Sequence, residues 1–309
     1  MLVKRARLGR FLFFDTARAG SRCPQYLMKG SKKSCRKPES KVVVNTRSAS
    51  IVALSRLVQK REERQRTGLF YVEGMRFVSN AAKAKFEIVQ LIVSPDLLTH
   101  PFGQGLAHSL RERGIPCTQV SGALYGELSR VEEPQGIAAV VRQRWETLDE
   151  ILPEIGRPWI ALDTLRSAGN LGTILRTADA VGAAGVLLVG PDIDIYEPAV
   201  IRATMGALFA MRCVRTDERS LTLWKRRTGL RLIGTSPSAK TDYQAVDYTR
   251  KPIALWLGGE RLGMSGAQQS LCDGIVQIPM VGRSDSLNVG TATGVLLYEA
   301  FNQNRKRVK

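Results

Sequence analysis

From Pro158 onward, short apolar runs alternate with stretches of helical periodicity, and glycines stand at the carboxyl ends of the runs. The runs at 159–162, 186–189, 212–214, 230–234 and 253–257 read as strands, and 171–181 and 198–209 as helices. Such alternation predicts a mostly parallel sheet, because parallel neighbours need crossover helices. Gly190, Gly234, Gly258 and Gly259 then fall where open α/β sheets place their ligands. The series ends in a β-branched run at 274–278 that stops at Pro279. A polar loop follows, then an apolar helix over about 289–301 carrying Val289, Ala292, Val295, Leu296 and Ala300 at near-helical spacing.

Upstream, Ile51, Leu54, Leu57 and Val58 mark a helix, and a charged run occupies 60–66. Strands are predicted at 68–74, 88–93, 116–120 and 135–141, with helices at 75–84 and 105–113. Residues 48–145 therefore read as a small α/β domain, 146–157 as a charged linker, and 158–309 as a second domain.

The chain has a net charge of +18, which makes a polyanion the leading partner, nucleic acid ahead of an anionic membrane. Residues 1–41 carry +10 of that charge, and residues 1–47 are expected to be disordered. They suit a transit peptide, an RNA-binding arm or a start codon assigned too far upstream. The cytoplasm is the expected compartment, or an organelle in the first case. No run approaches about 18 uninterrupted apolar residues, so no membrane span is expected. Five scattered cysteines without a C-x-x-C spacing argue against a disulfide framework or structural zinc and suit a reducing compartment. His100 and His108 are the only histidines, both expected in a surface loop, which disfavours His-based catalysis or metal binding.

Three stretches hold the candidate chemistry. In the first, a strand ends, a Gly169-Asn170 turn follows, and Arg176 lies six residues further on. On a helix the two side chains stand roughly 120° apart, so Asn170 could cap it while Arg176 reaches a phosphate. The second, Gly258-Gly259-Glu260-Arg261-Leu262-Gly263, has the glycine spacing of a phosphate-binding loop. Met264 stands where that loop needs lysine, so nucleoside triphosphate binding is rejected. No G-x-G-x-x-G occurs either. The third is Ile278-Pro279-Met280 with Ser286-Leu287-Asn288-Val289, whose polar residues sit where a loop becomes a helix. Taken alone, each stretch would pass for a cap, a surface ion pair or a turn.

Together, and in this order, they resemble the three motifs of the SpoU/TrmH branch of the SPOUT methyltransferases. The resemblance covers about 158–303. Residues 48–141, with 68–74 and Gln135-Gly136-Ile137, are similar to the RNA-binding domain often attached in this family. The resemblance implies an α/β fold with a trefoil-knotted C-terminal domain, S-adenosylmethionine as cofactor and a homodimer with the site at its interface. It implies a catalytic group of Asn170, Arg176, Glu260, Ser286 and Asn288. Gly258, Gly259, Ile278, Met280, Leu287 and Val289 would contact the cofactor. The implied reaction is methylation of a ribose 2′-hydroxyl in RNA. Ribosomal RNA of the large subunit is favoured over transfer RNA because of the extra domain. A non-catalytic RNA-binding protein on the same fold and a small-molecule methyltransferase are the competing readings.

That chemistry suits the residue types. A ribose hydroxyl must lose its proton as it attacks, and a sulfonium already activates the methyl group. The protein is left mainly with positioning and proton handling. Arg176 would hold the adjacent phosphate and take or relay the proton, sharing that role with the phosphate. Ser286, Asn288 and Asn170 would orient the ribose and Arg176, and Glu260 the arginine or its loop.

Overall fold

The computed structural model describes residues 49–190 and 193–307; the expectations for 1–47 fall outside them. The N-terminal part runs α1 (Ala49–Gln59), α2 (Arg61–Thr67), β1 (Leu69–Glu73), α3 (Met75–Lys83), β2 (Ile88–Val93), α4 (Pro101–Glu112), β3 (Cys117–Gln119), α5 (Gly122–Leu128) and β4 (Ile137–Arg142). Its sheet has the order β1-β4-β2-β3 and is mixed, with only β2 and β3 parallel. Val140, Ala138, Tyr71 and Leu69 line the face covered by α1 and α5, while Val141, Ala139, Val72 and Phe70 line the other. This alternation is the two-residue period of a sheet buried on both faces. His108 lies within α4, paired with Glu112 at 3.2 Å, and His100 caps that helix by accepting the Phe102 N–H. His108 therefore lies in a helix rather than the expected loop, while His100 stands exposed just outside it, before Pro101 at the first helical position.

The C-terminal part continues with β5 (Trp159–Leu162), α6 (Ala168–Ala180), β6 (Gly185–Val189), α7 (Pro198–Ala203), β7 (Arg212–Thr216), α8 (Glu218–Thr228), β8 (Arg231–Thr235), β9 (Thr241–Asp242), β10 (Ile253–Leu257), α9 (Gly266–Leu271), β11 (Gly274–Gln277) and α10 (Val289–Arg307). All pairings in the sheet, of order β7-β6-β5-β10-β8-β11-β9, are parallel, as the alternation predicts. From β5 the chain steps outward to β6 and β7, then crosses to the other half. The strand order thus reverses between β5 and β10, and the clefts of open sheets form at such a point.

Ile160, Leu162, Leu255 and Leu257 face α6 and α10, while the fully buried Trp159 and Trp256 face α8 and α9 on the opposite side. Each of these indoles contributes on the order of 4–6 kcal/mol of apolar transfer free energy. Helix α8, unread in the sequence, is capped by Asp217, which accepts the Ser220 N–H at 2.7 Å, and closed by Gly229 at φ 67°. Helix α9, also unread, starts with a reciprocal Ser265–Gln268 capping box. The helix predicted over 198–209 breaks at Thr204–Gly206, where Met205 and Gly206 both have positive φ. The last helix runs to Arg307 rather than ending near 301, because Gln303 and Asn304 bond the backbone of Val246 and Tyr248.

The two sheets share one core. Phe70 lies 4.4 Å from Tyr196, and Phe86 meets Phe209 edge to face at 5.3 Å. Arg64, in the middle of the charged run, is buried and donates two bonds to Asp194, at 2.9 and 2.7 Å. Its remaining nitrogen satisfies the Leu57 and Val58 carbonyls at the end of α1. Residues between the sheets are also held: Ile151 is fully buried and its carbonyl accepts the Trp224 indole N–H at 3.0 Å.

Candidate active site

The site lies at the carboxyl ends of β5, β10 and β11. After β5, Ser167 caps α6 by accepting the Asn170 N–H at 3.2 Å. Asn170 is thus not the cap, and no Gly-Asn turn forms. Helix α6 starts at Ala168, and Asn170 occupies its first turn with its amide free to reach outward. A serine three residues ahead of Asn170 was the available signal.

After β10 the chain folds tightly back on itself. Gly259 and Gly263 exchange both backbone bonds, at 3.1 and 2.9 Å. A Cβ on Gly258 would lie 2.5 Å from the Met264 nitrogen, so glycine is required there by the loop's own return. The turn presents Glu260, whose carboxylate accepts from the Asn170 side-chain amide and, at 3.4 Å, from the Arg166 N–H. The Glu260 N–H donates in turn to the Thr164 carbonyl at 3.4 Å, so this residue ties the β10 loop to the β5 loop on both sides. A carboxylate beside the first turn of α6 also complements the helix dipole.

After β11, Asn288 begins α10, its Oδ1 accepting from the Gly290 and Thr291 N–H groups at 2.9 and 3.3 Å. Its Nδ2 donates to Asn170 Oδ1 at 2.9 Å. These contacts fix the sense of the whole chain. Backbone donors hold the Asn288 oxygen, so its nitrogen must face Asn170. The Asn170 oxygen is then occupied, and its nitrogen must face the acceptor-only carboxylate of Glu260.

Arg176 stands exposed on α6 and makes no hydrogen bond or ion pair among the described residues. Glu260 therefore engages Asn170 and backbone rather than Arg176. Ser286 is exposed without a bonded partner in the described structure. Of the residues around it, Ile278 and Val289 pack against the core, Met280 is half-buried, and Leu287 is 38% exposed. Among the described residues, no hydrogen bond engages the backbone N–H groups from 280 to 287.

Gln268, unread in the sequence, backs the site by donating to both Asp163 and Glu218 at 3.0 Å while accepting from the Ser265 N–H. Its Ser-x-x-Gln spacing from Ser265 was the signal for it. The described cysteines, Cys117, Cys213 and Cys272, are free. Burial pushes the Cys213 and Cys272 thiols up to about 12, so neither offers a thiolate near neutral pH. No cluster of metal-ligating side chains occurs among the described residues.

A parallel sheet with three strand-end loops joined through Asn170, Glu260 and Asn288 has the form of a SPOUT methyltransferase. Comparison with known proteins agrees. Residues 158–298 match the SpoU rRNA Methylase family, and residues 49–139 match the MRM3-like substrate binding domain. The chain is 31% identical to the 23S rRNA (uridine(2479)-2'-O)-methyltransferase of Streptomyces viridochromogenes, covering 84% of this chain and 92% of that protein. It is 30% identical to the 23S rRNA (guanosine(2553)-2'-O)-methyltransferase RlmP of Bacillus subtilis, over 77% of this chain and 90% of the relative. The AdoMet-bound rRNA methyltransferase from Sinorhizobium meliloti superposes with a TM-score of 0.77 at 32% identity, covering 87% of this chain and 98% of its own. The chain belongs to the SpoU rRNA methylase family.

Proposed function

We propose that this protein transfers the methyl group of S-adenosylmethionine to a ribose 2′-hydroxyl of large-subunit ribosomal RNA. The observation that carries the reading is the directed chain from Asn288 through Asn170 to Glu260, with the unpaired Arg176 on the same helix as Asn170. The strand-end loops suit the cofactor: Gly258 and Gly259 bring backbone close, Ile278, Met280, Leu287 and Val289 offer apolar contact, and unbonded N–H groups follow Met280. When bound, the cofactor supplies a methyl group already activated by its sulfonium.

This chain's residues then position and manage the proton. A guanidinium offers five donors and no acceptor, so Arg176 clamps the phosphate beside the target ribose. The phosphate oxygen held there would take the 2′-hydroxyl proton as the 2′ oxygen accepts the methyl group. Ser286 and the Asn288–Asn170 pair orient the ribose, and Glu260 holds Asn170 and the β5 loop still. This positioning is the main contribution open to the protein.

Homodimerisation, a knotted cofactor loop and a cytoplasmic setting are parts of the same proposal. Exposed Tyr298, packed edge to face on Phe301 of α10, supports a partner surface, which light scattering of the purified protein would test. The free cysteines suit a reducing compartment. No helix among the described residues is long and apolar enough to cross a membrane.

The test is incubation with labelled S-adenosylmethionine and unmodified ribosomal or transfer RNA, followed by nucleoside mass spectrometry. A 2′-O-methyl nucleoside confined to large-subunit RNA is expected. Methylation of transfer RNA alone would overturn the substrate, and absence of cofactor binding would overturn the activity. Asn288→Asp probes the amide chain: the carboxylate still caps α10 but cannot donate to Asn170. Whichever way Asn170 then turns, one acceptor faces another. Turnover is expected to fall roughly 10- to 100-fold, matching a lost bond to a charged group, while the melting temperature stays near that of the parent.

A further inference from the structure

The turn after α7 holds two consecutive residues in the left-handed region, Met205 at φ 53° and Gly206 at φ 104°. Among the described residues, only Lys85 is another non-glycine with positive φ, and there Arg144 donates to the Ala84 and Lys85 carbonyls and so holds the turn. Met205 gains nothing comparable from the core, since its side chain is 44% exposed. Its neighbours fix the conformation instead. Thr204 is buried, donates to the Ile201 carbonyl at 2.7 Å and accepts the Gly206 N–H at 3.3 Å.

This turn is wedged between the catalytic helix and the N-terminal sheet's α3. A Cβ on Gly172, two residues beyond Asn170, would lie 2.6 Å from the Ala203 carbonyl carbon, so α6 and the end of α7 touch backbone to backbone. On the other side, a Cβ on Gly206 would overlap the Asn80 amide nitrogen of α3. Arg76 is exposed on α3 one turn before Asn80, on the same face. Arg202 is half-buried three residues before Met205. Neither guanidinium has a hydrogen-bond or ion-pair partner among the described residues. An unbranched apolar side chain in a strained backbone thus belongs to a turn whose flanking helices, α7 and α3, each carry an arginine with a free guanidinium, beside the helix that carries Asn170 and Arg176.

We propose that Met205 packs against a nucleobase next to the target ribose, with Arg202 and Arg76 taking the flanking phosphates. The inference rests on the RNA methyltransferase reading and adds to it a substrate contact. A thioether is polarizable and adaptable, and every base offers a face to it, so such a contact holds RNA without demanding one sequence. Guanidinium groups suit phosphate, which positions the strand. Backbone strain retained at an exposed side chain is the pattern of a ligand-facing position.

The test compares Met205→Asn and Met205→Leu with the parent, using an unmodified large-subunit ribosomal RNA transcript. Asparagine tolerates the left-handed conformation but lacks apolar bulk, whereas leucine keeps the bulk and the strain. Met205→Asn is expected to raise Kd and KM for the transcript about tenfold, with kcat, cofactor affinity and melting temperature unchanged, and Met205→Leu to restore most of the affinity. Arg202→Ala and Arg76→Ala should each reduce the slope of log K against log salt by about one. Parent-like RNA binding by Met205→Asn would overturn the inference while leaving the methyltransferase reading intact, and so would an equal loss in Met205→Leu. A parent protein that fails to bind the transcript would overturn both.

Discussion

Arg176→Ala is expected to lower turnover on RNA by two to four orders of magnitude, because the phosphate that takes the 2′-hydroxyl proton is no longer held in place. Stability should barely change. Arg176 is exposed and unpartnered among the described residues, so no packed or paired group is abandoned, and such surface changes stay within about 0.5 kcal/mol. A large kinetic effect without a structural one separates a substrate-facing cation from a scaffold residue. Arg176→Lys should recover only part of the rate, because an ammonium lacks the planar fork that holds a phosphate through two bonds. Single-turnover kinetics with saturating cofactor, alongside melting curves, would check this. Retention of most of the parent rate by Arg176→Ala would remove it from the catalytic group.

Arg64→Ala is expected to have the largest effect on stability, about 3–5 kcal/mol, for a different reason. The guanidinium and the Asp194 carboxylate are 4% and 9% exposed, and removing the cation leaves a buried carboxylate without its partner. Two carbonyls at the end of α1 lose their donor as well. For a chain of this size the melting temperature should fall by roughly 10 °C. Asp194→Asn should cost less, since an amide oxygen can still accept from Arg64 and the guanidinium, now without its counter-charge, keeps its bonds to the Leu57 and Val58 carbonyls. Arg64 joins α1 and α2 to the C-terminal sheet, and Phe70 and Phe86 pack there on Tyr196 and Phe209, so one unfolding transition is expected for both sheets. Calorimetry resolving two transitions would contradict the shared core.

The sequence alone determined the order and type of most strands and helices, because apolar periodicity, caps and glycine stops act within a few residues. Strands β5 and β10 lie where their apolar runs end, and the motifs fall on the strand-end loops. Even helices α8 and α9, which apolar periodicity leaves unmarked, carry local signals, an Asp217 cap and the Ser265–Gln268 box. Tertiary structure decided the rest. Ser167 caps α6 locally, but only the folded chain brings the Asn170 amide to its partners 90 and 118 positions away. Nothing within the charged run at 60–66 singles out one residue for burial, yet Arg64 is buried because Asp194, 130 positions on, meets it. The direction of the Asn288–Asn170–Glu260 chain follows from which atoms already have backbone partners. Periodicity carries no information about that pairing, which exists only once the three loops meet.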